Sequence, residues 1–122
     1  MEHSFIAWAK QRASRLPQVH LGIGDDAAML APGSLATVVT TDAIGDGSHF
    51  VLSECGPRAV GRKAAGVNLS DIAAMGATPT ALFLTLFLPK DSSSDASTLA
   101  VEIFEGVCEV ADRYQVAIAG GD

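Results

Sequence analysis

The chain has 122 residues, 48% of them hydrophobic and 18% charged, which suits one folded globular domain with a real core. Fourteen acids against eight Lys and Arg give a net charge of −6, which argues against a nucleic-acid or anionic-membrane partner held by protein charge alone. Cys55 and Cys108 lack metal-ligand spacing and fit a reducing compartment, and the longest apolar run, 81–89, falls far short of the ~20 residues of a membrane helix. The expectation is a cytoplasmic domain with no membrane segment.

In chain order, residues 1–17 read as a short amphipathic helix, with Phe5, Ile6 and Ala9 on one side and Ala13 and Leu16 extending it. Residues 22–30, GIGDDAAML, precede the turn signal Pro32-Gly33 and read as a strand. Residues 37–44, TVVTTDAI, are rich in β-branched side chains and read as a second strand. The stretch Gly45-Asp46-Gly47-Ser48-His49 is too glycine-rich to be anything but a loop.

Residues 58–77 read as a helix stopped by Pro79, because the residue before a proline is pushed out of the α region. Residues 81–88, ALFLTLFL, have the length and composition of a buried strand. Residues 95–114 carry Leu99, Ile103, Val107, Val110 and Ala111 at helical spacing, and 116–122 form a strand ending in glycines. Strands and helices mix without strict βαβ alternation, so the fold class is α+β or an irregular α/β.

The helix 58–77 raises a problem of charge. Ala65, Leu69, Ile72, Ala73 and Gly76 share one face, while Asn68, Asp71 and Met75 share a second. Past Lys63 the helix has no charged solvent face, so Asp71 is expected to be buried or to line a cleft. A buried carboxylate needs a partner. That partner is a set of backbone N–H groups, a distant Arg, or a cation.

Three other features favour the cation. Asp25 and Asp26 open one strand, Thr40, Thr41 and Asp42 stand at the far end of the next, and Asp122 stands at the tip of the last. Such junctions converge when strands pair. Carboxylates and Thr hydroxyls are hard oxygen donors that suit Mg²⁺ rather than zinc, and Mg²⁺ is commonly shared with phosphates. An acidic chain would bind an acidic phosphate substrate in this way.

Two phosphate motifs fail on context. Residues 22–27 match G-x-G-x-x-A, but Pro32-Gly33 leaves no room for the helix that must follow. Residues 56–63, GPRAVGRK, nearly spell a P-loop, yet no apolar strand feeds them. His49 is an ambiguous loop residue, either simply exposed or placed to touch a ligand.

Four blocks in order, GIGDDAAML (22–30), TTDAIGDGSHF (40–50), NLSDIAAMGATP (68–79) and AGGD (119–122), resemble the thiamine-monophosphate kinase family. That family lies in the aminoimidazole-ribonucleotide-synthetase-like ATP-binding superfamily. The resemblance implies a mixed sheet with helices packed on one face, in a domain that pairs with a second copy to form a homodimer. It implies Mg²⁺-dependent transfer of the ATP γ-phosphate to thiamine monophosphate, without a phospho-enzyme. By the same resemblance Asp26, Thr40, Thr41, Asp42, Asp71 and Asp122 are metal ligands, Gly121 and Asp122 contact ATP, and His49 contacts the thiamine substrate.

The loop after Asp42 departs from the family's usual Leu-Val-Glu-Gly-Val-His-like run. The family's second domain, which follows the GGD motif, has no counterpart here. Residues 1–122 are therefore expected to be a single N-terminal ATP/Mg-binding and dimerisation domain, a piece that does not turn over alone. The alternatives are a hydrogenase-maturation relative and a non-catalytic dimerisation or nucleotide-binding module. A selenophosphate-synthesising relative would carry a reactive Cys and a Lys-containing glycine-rich run near the N-terminus, and nothing here matches.

Overall fold

The computed structural model describes residues 2–23, 29–30, 37–90 and 96–122. In chain order it contains α1 (Glu2–Arg12), β1 (Val19–Leu21), β2 (Met29–Leu30), α2 (Leu52–Cys55), α3 (Pro57–Ala74), β3 (Ala81–Leu84), α4 (Ala96–Tyr114) and β4 (Ala117–Gly121). Among the described residues β1 and β2 form one antiparallel pair, and β3 and β4 a separate parallel pair. The mixed α/β class read from the sequence holds.

The core lies where α1, α3, α4 and β4 meet. Its buried members are Ala9, Ala65, Phe104, Val107, Cys108, Ala111, Val116 and Ile118. Phe5 and Trp8 of α1 close it from one side, each edge-on or nearly so to Phe104 at centroid distances of 5.8 and 5.2 Å. The spacing of Phe5 and Ala9 anticipated this face of α1; Trp8 was not anticipated, and Ile6 is partly exposed.

Helices α3 and α4 cross at two glycines. A Cβ on Gly61 would stand 1.9 Å from the Ile103 carbonyl oxygen, and one on Gly106 would stand 2.1 Å from that of Arg58. Backbone therefore meets backbone at the crossing. Around it Arg58 and Arg62 reach Glu109 at 3.1 and 3.0 Å, while Arg12 of α1 reaches Glu105 at 3.0 Å and Asp112 at 3.2 Å. Three of the eight cationic side chains are thus committed to the acidic face of α4.

Helix α3 is shorter than the expected 58–77. Gly76 adopts φ 67°, its N–H reaches the Ala73 carbonyl at 2.9 Å, and the Ala77 N–H reaches the Ile72 carbonyl at 3.1 Å. This is the double closure of a left-handed glycine cap, and it ends the helix before Pro79 acts. Residues 37–44 do not belong to a described sheet, although their composition is strand-like. Val39 is 83% exposed while Val38 and Thr40 are half-buried, and among the described residues no strand pairs with the segment to complete a ladder.

The run 81–88 is not buried throughout. Leu82, Leu84, Leu86 and Leu88 are half-buried, whereas Phe83 and Phe87 are 59% and 95% exposed. The strand covers one face only. Strand β4 carries one extra residue opposite β3, since Leu82 pairs with Ile118 but Phe83 with Gly120. Such a bulge increases local twist and commonly re-aims a strand end beside a functional site.

Candidate functional site

Asp71 sits in the last turn of α3 and is exposed, which corrects the expectation that it is buried or clefted. The helical wheel registers only the composition of the helix, and here the last two turns keep only Asn68, Leu69 and Ile72 half-buried. Buried positions of α3 stop at Val60, Gly61 and Ala65, and Met75 is 69% exposed. Among the described residues the hydrogen-bond partner of Asp71 is the Thr40 hydroxyl, which donates to its carboxylate at 3.3 Å. The contact joins two of the four sequence blocks across 31 positions.

Thr41 and Asp42 follow in the same extended stretch and are exposed. Asp122 is exposed at the end of β4, where its backbone extends the parallel ladder: its N–H donates to the Leu84 carbonyl at 3.0 Å and its carbonyl accepts from Leu86 at 2.7 Å. Gly121 precedes it at φ 150°, and a Cβ there would lie 1.6 Å from the Leu84 oxygen. The second glycine of AGGD is thus required by the close approach of β3, whatever else it touches. Asp25 and Asp26 lie outside the described residues.

Among the described residues no three His, Cys, Asp or Glu side chains stand close enough together to hold a metal ion. Thr40 and Asp71 are brought together; Asp42 and Asp122 are not shown to join them. Every candidate donor is nonetheless an oxygen, a set whose chemistry fits a hard cation with waters and phosphate completing its shell.

Gly121 and Asp122 stand at the rim of a cavity of about 370 Å³, walled by Phe5, Leu84, Leu86 and Phe104. His49 lies in the loop between residues 45 and 50 and is exposed. Its Nδ1 accepts from the Gly45 N–H at 3.0 Å, and its carbonyl accepts from the Lys63 ammonium. Asp46 accepts the Leu52 N–H at 2.9 Å and so starts α2. Sequence reasoning left Lys63 and Asp46 without a role; their signals were an acid set between two glycines ahead of a short helix and the isolation of Lys63 as the last cation before Asp71.

A mixed α/β domain that presents oxygen donors at a helix end and a strand end fits many proteins and does not single out one. The family follows from comparison: residues 24–122 match the model for AIR synthase related protein, N-terminal domain, and the chain belongs to that family. It is 48% identical over 130 residues to a thiamine-monophosphate kinase of Rhodopirellula baltica, covering 100% of this chain and 40% of that protein. It is 39% identical over 124 residues to the thiamine-monophosphate kinase of Escherichia coli K12, covering 99% of this chain and 36% of that one.

Among solved structures, the thiamine-monophosphate kinase of Stenotrophomonas maltophilia K279a superposes with a TM-score of 0.76 at 37% identity, over 98% of this chain and 35% of that one. The chain thus spans well under half the length of these relatives.

Proposed function

We propose that the chain is the N-terminal part of a thiamine-monophosphate kinase, an enzyme that uses ATP to convert thiamine monophosphate to thiamine diphosphate. The observation that carries this reading is the Thr40–Asp71 contact, which unites two donor-bearing blocks of the family pattern in one corner. The similarity to named kinases over the whole chain supports it. In the reaction a phosphate oxygen of thiamine monophosphate attacks the γ-phosphorus, and the bond to the bridging oxygen of ADP breaks.

Thr40, Thr41, Asp42, Asp71 and Asp122, with Asp26, are the residues that would hold Mg²⁺. Bound there, Mg²⁺ supplies the positive charge that phosphoryl transfer needs as charge spreads over the transferring group. The chain's own residues do the positioning: Asp71 holds the Thr40 hydroxyl, and the β3–β4 ladder fixes the backbone of Gly121 and Asp122. Gly121 and Asp122 would contact ATP, with the adjoining apolar cavity large enough for a flat ring, and His49 would contact the thiamine substrate.

The same reading makes the protein a cytoplasmic homodimer joined through its exposed sheet face. Among the described residues no helix is long and apolar enough to cross a membrane.

The test is thermal denaturation of the chain with Mg²⁺ and a non-hydrolysable ATP analogue, singly and together, beside Asp71→Asn. Stabilisation that requires both components and disappears in the variant is the expected outcome; at a hundredfold excess over Kd it amounts to about 2.7 kcal/mol. Stabilisation undiminished by Asp71→Asn would remove Asp71 from the site, and no stabilisation by the two together would overturn nucleotide binding by these residues alone.

A further inference from the structure

The loop that carries His49 is held more tightly than its glycine content suggests. Gly45 is bonded to His49 twice: its carbonyl accepts the His49 N–H at 3.0 Å, and its own N–H donates to His49 Nδ1 at 3.0 Å. Gly47, at φ 81°, makes the reversal and donates to the Phe50 carbonyl at 2.8 Å. Asp46 anchors the far side through the Leu52 N–H. From outside the loop, the Lys63 ammonium donates to the His49 carbonyl.

We propose that Lys63 is a positioning residue that ties the His49 loop to α3, and that this clamp presents His49 as an Nε2–H donor to a hydrogen-bond-accepting atom of the substrate. The proposal rests on the reading of His49 as a substrate contact. Two steps carry it. A neutral imidazole has one donor and one acceptor nitrogen, and the Gly45 N–H uses Nδ1 as the acceptor. The ring proton therefore resides on Nε2, and the atom that His49 recognises must accept a hydrogen bond, as a phosphate oxygen or a pyridine-like ring nitrogen does.

The second step is geometric. Lys63 and Asp71 belong to one helix, eight residues apart, which is about 12 Å along its axis. Lys63 thus fixes the loop of the acceptor substrate to the same rigid element that carries the Asp71 carboxylate. Phosphoryl transfer depends on alignment of donor and acceptor together with charge stabilisation, so one helix bearing both fixtures gives a Lys at this position its purpose. With the other described cations near it, Arg58 and Arg62, engaged by acids of α4, Lys63 supplies the cross-link.

The experiment reads the His49 ring directly. Long-range proton–nitrogen NMR on the chain labelled at histidine nitrogens, with His49→Gln to assign its signals apart from His3 and His20, reports which nitrogen carries the proton. The expected result is a single Nε2–H tautomer in the wild type, loss of that single pattern in Lys63→Met, and its retention in Lys63→Arg. The unchanged amide spectrum of α4 in Lys63→Met would show that the fold persists.

An Nδ1–H tautomer in the wild type, or a Lys63→Met spectrum identical to it, would overturn the proposal. Addition of thiamine monophosphate tests the underlying reading separately. Ring signals that shift in the wild type and less in Lys63→Met support both. Signals that stay put while the tautomer pattern behaves as expected overturn the role of His49 in substrate binding and leave the Lys63 clamp standing.

Discussion

At the scale of single residues, Asp71 is held where its own helix does not favour it. A carboxylate in a last turn faces the negative end of the helix dipole, and the last turn of α3 contains no basic residue to offset it. Asp71→Asn is therefore expected to leave the ligand-free chain as stable as the wild type or more so, by about 0.3–1 kcal/mol, since among the described residues the Thr40 hydrogen bond is the side-chain contact that opposes the gain. Urea denaturation without metal or nucleotide measures this; a loss above about 1 kcal/mol would make Asp71 a structural residue. The two thiols differ in a way that their sequence surroundings do not reveal. Cys108 is fully buried, and burial pushes its thiol up to about 12, whereas Cys55 is exposed. Thiolate is the reacting species, so at pH 8 an aromatic disulfide reagent should titrate one thiol rapidly, and the second only after denaturant is added. A Cys55→Ser chain should then show no rapid reaction. Little of this was legible beforehand. The acid was visible, but its exposure depends on which positions of α3 its neighbours cover, a tertiary fact that a helical wheel does not contain.

At the scale of elements, the α3–α4 crossing is the joint on which the site depends, because α3 carries both Lys63 and Asp71. Its closeness is set by Gly61 and Gly106, where a Cβ would collide with the facing carbonyl. Neither neighbour is the end of a flexible side chain, so the helices themselves must separate. Gly61→Ala is expected to destabilise the chain by about 3 kcal/mol, the upper part of the range for overpacking. Gly66, one and a half turns further along the same helix, has nothing within 4 Å of a Cβ. Gly66→Ala should therefore stabilise by about 0.5–1 kcal/mol through the usual helical preference for Ala. Opposite signs from one substitution type in one helix, read by chemical denaturation, would establish the crossing; equal signs would contradict it. Because periodicity and composition are local, the sequence located this helix, α4 and β4 to within three residues and α1 to within five, since α1 ends at Arg12 rather than near Pro17. It missed what required a partner. The end of α3 was credited to Pro79 although Gly76 closes it first, and residues 37–44 were expected to be a strand on β-branched composition, which does not form a ladder without a neighbour.

At the scale of the whole molecule, the β3–β4 pair is covered on one face only. Parallel strands are normally buried on both faces, and an isolated two-stranded sheet is marginal in water. Here α4 and α1 cover the leucine side, while Phe83 and Phe87 face outward from the other. The alternation of β3 and its extension places these two aromatics on one surface, an arrangement the sequence concealed by making both faces apolar. A second copy presenting the same strip would cover it, and a twofold contact needs only one self-complementary patch. The chain is therefore expected to sediment as a dimer at tens of micromolar. Phe87→Asp tests the face with little risk to the fold, since the side chain is 95% exposed and its replacement removes no core contact. It sets two like charges near the twofold contact and should yield a monomer with the wild-type far-ultraviolet spectrum. Arg113→Ala, on the C-terminal turn of α4 with its guanidinium stacked 5.7 Å from the Tyr114 ring, is the control that should leave the dimer intact. If Phe87→Asp remains a dimer, the copies meet elsewhere; if the wild type is already a monomer, the aromatic face belongs to a different partner.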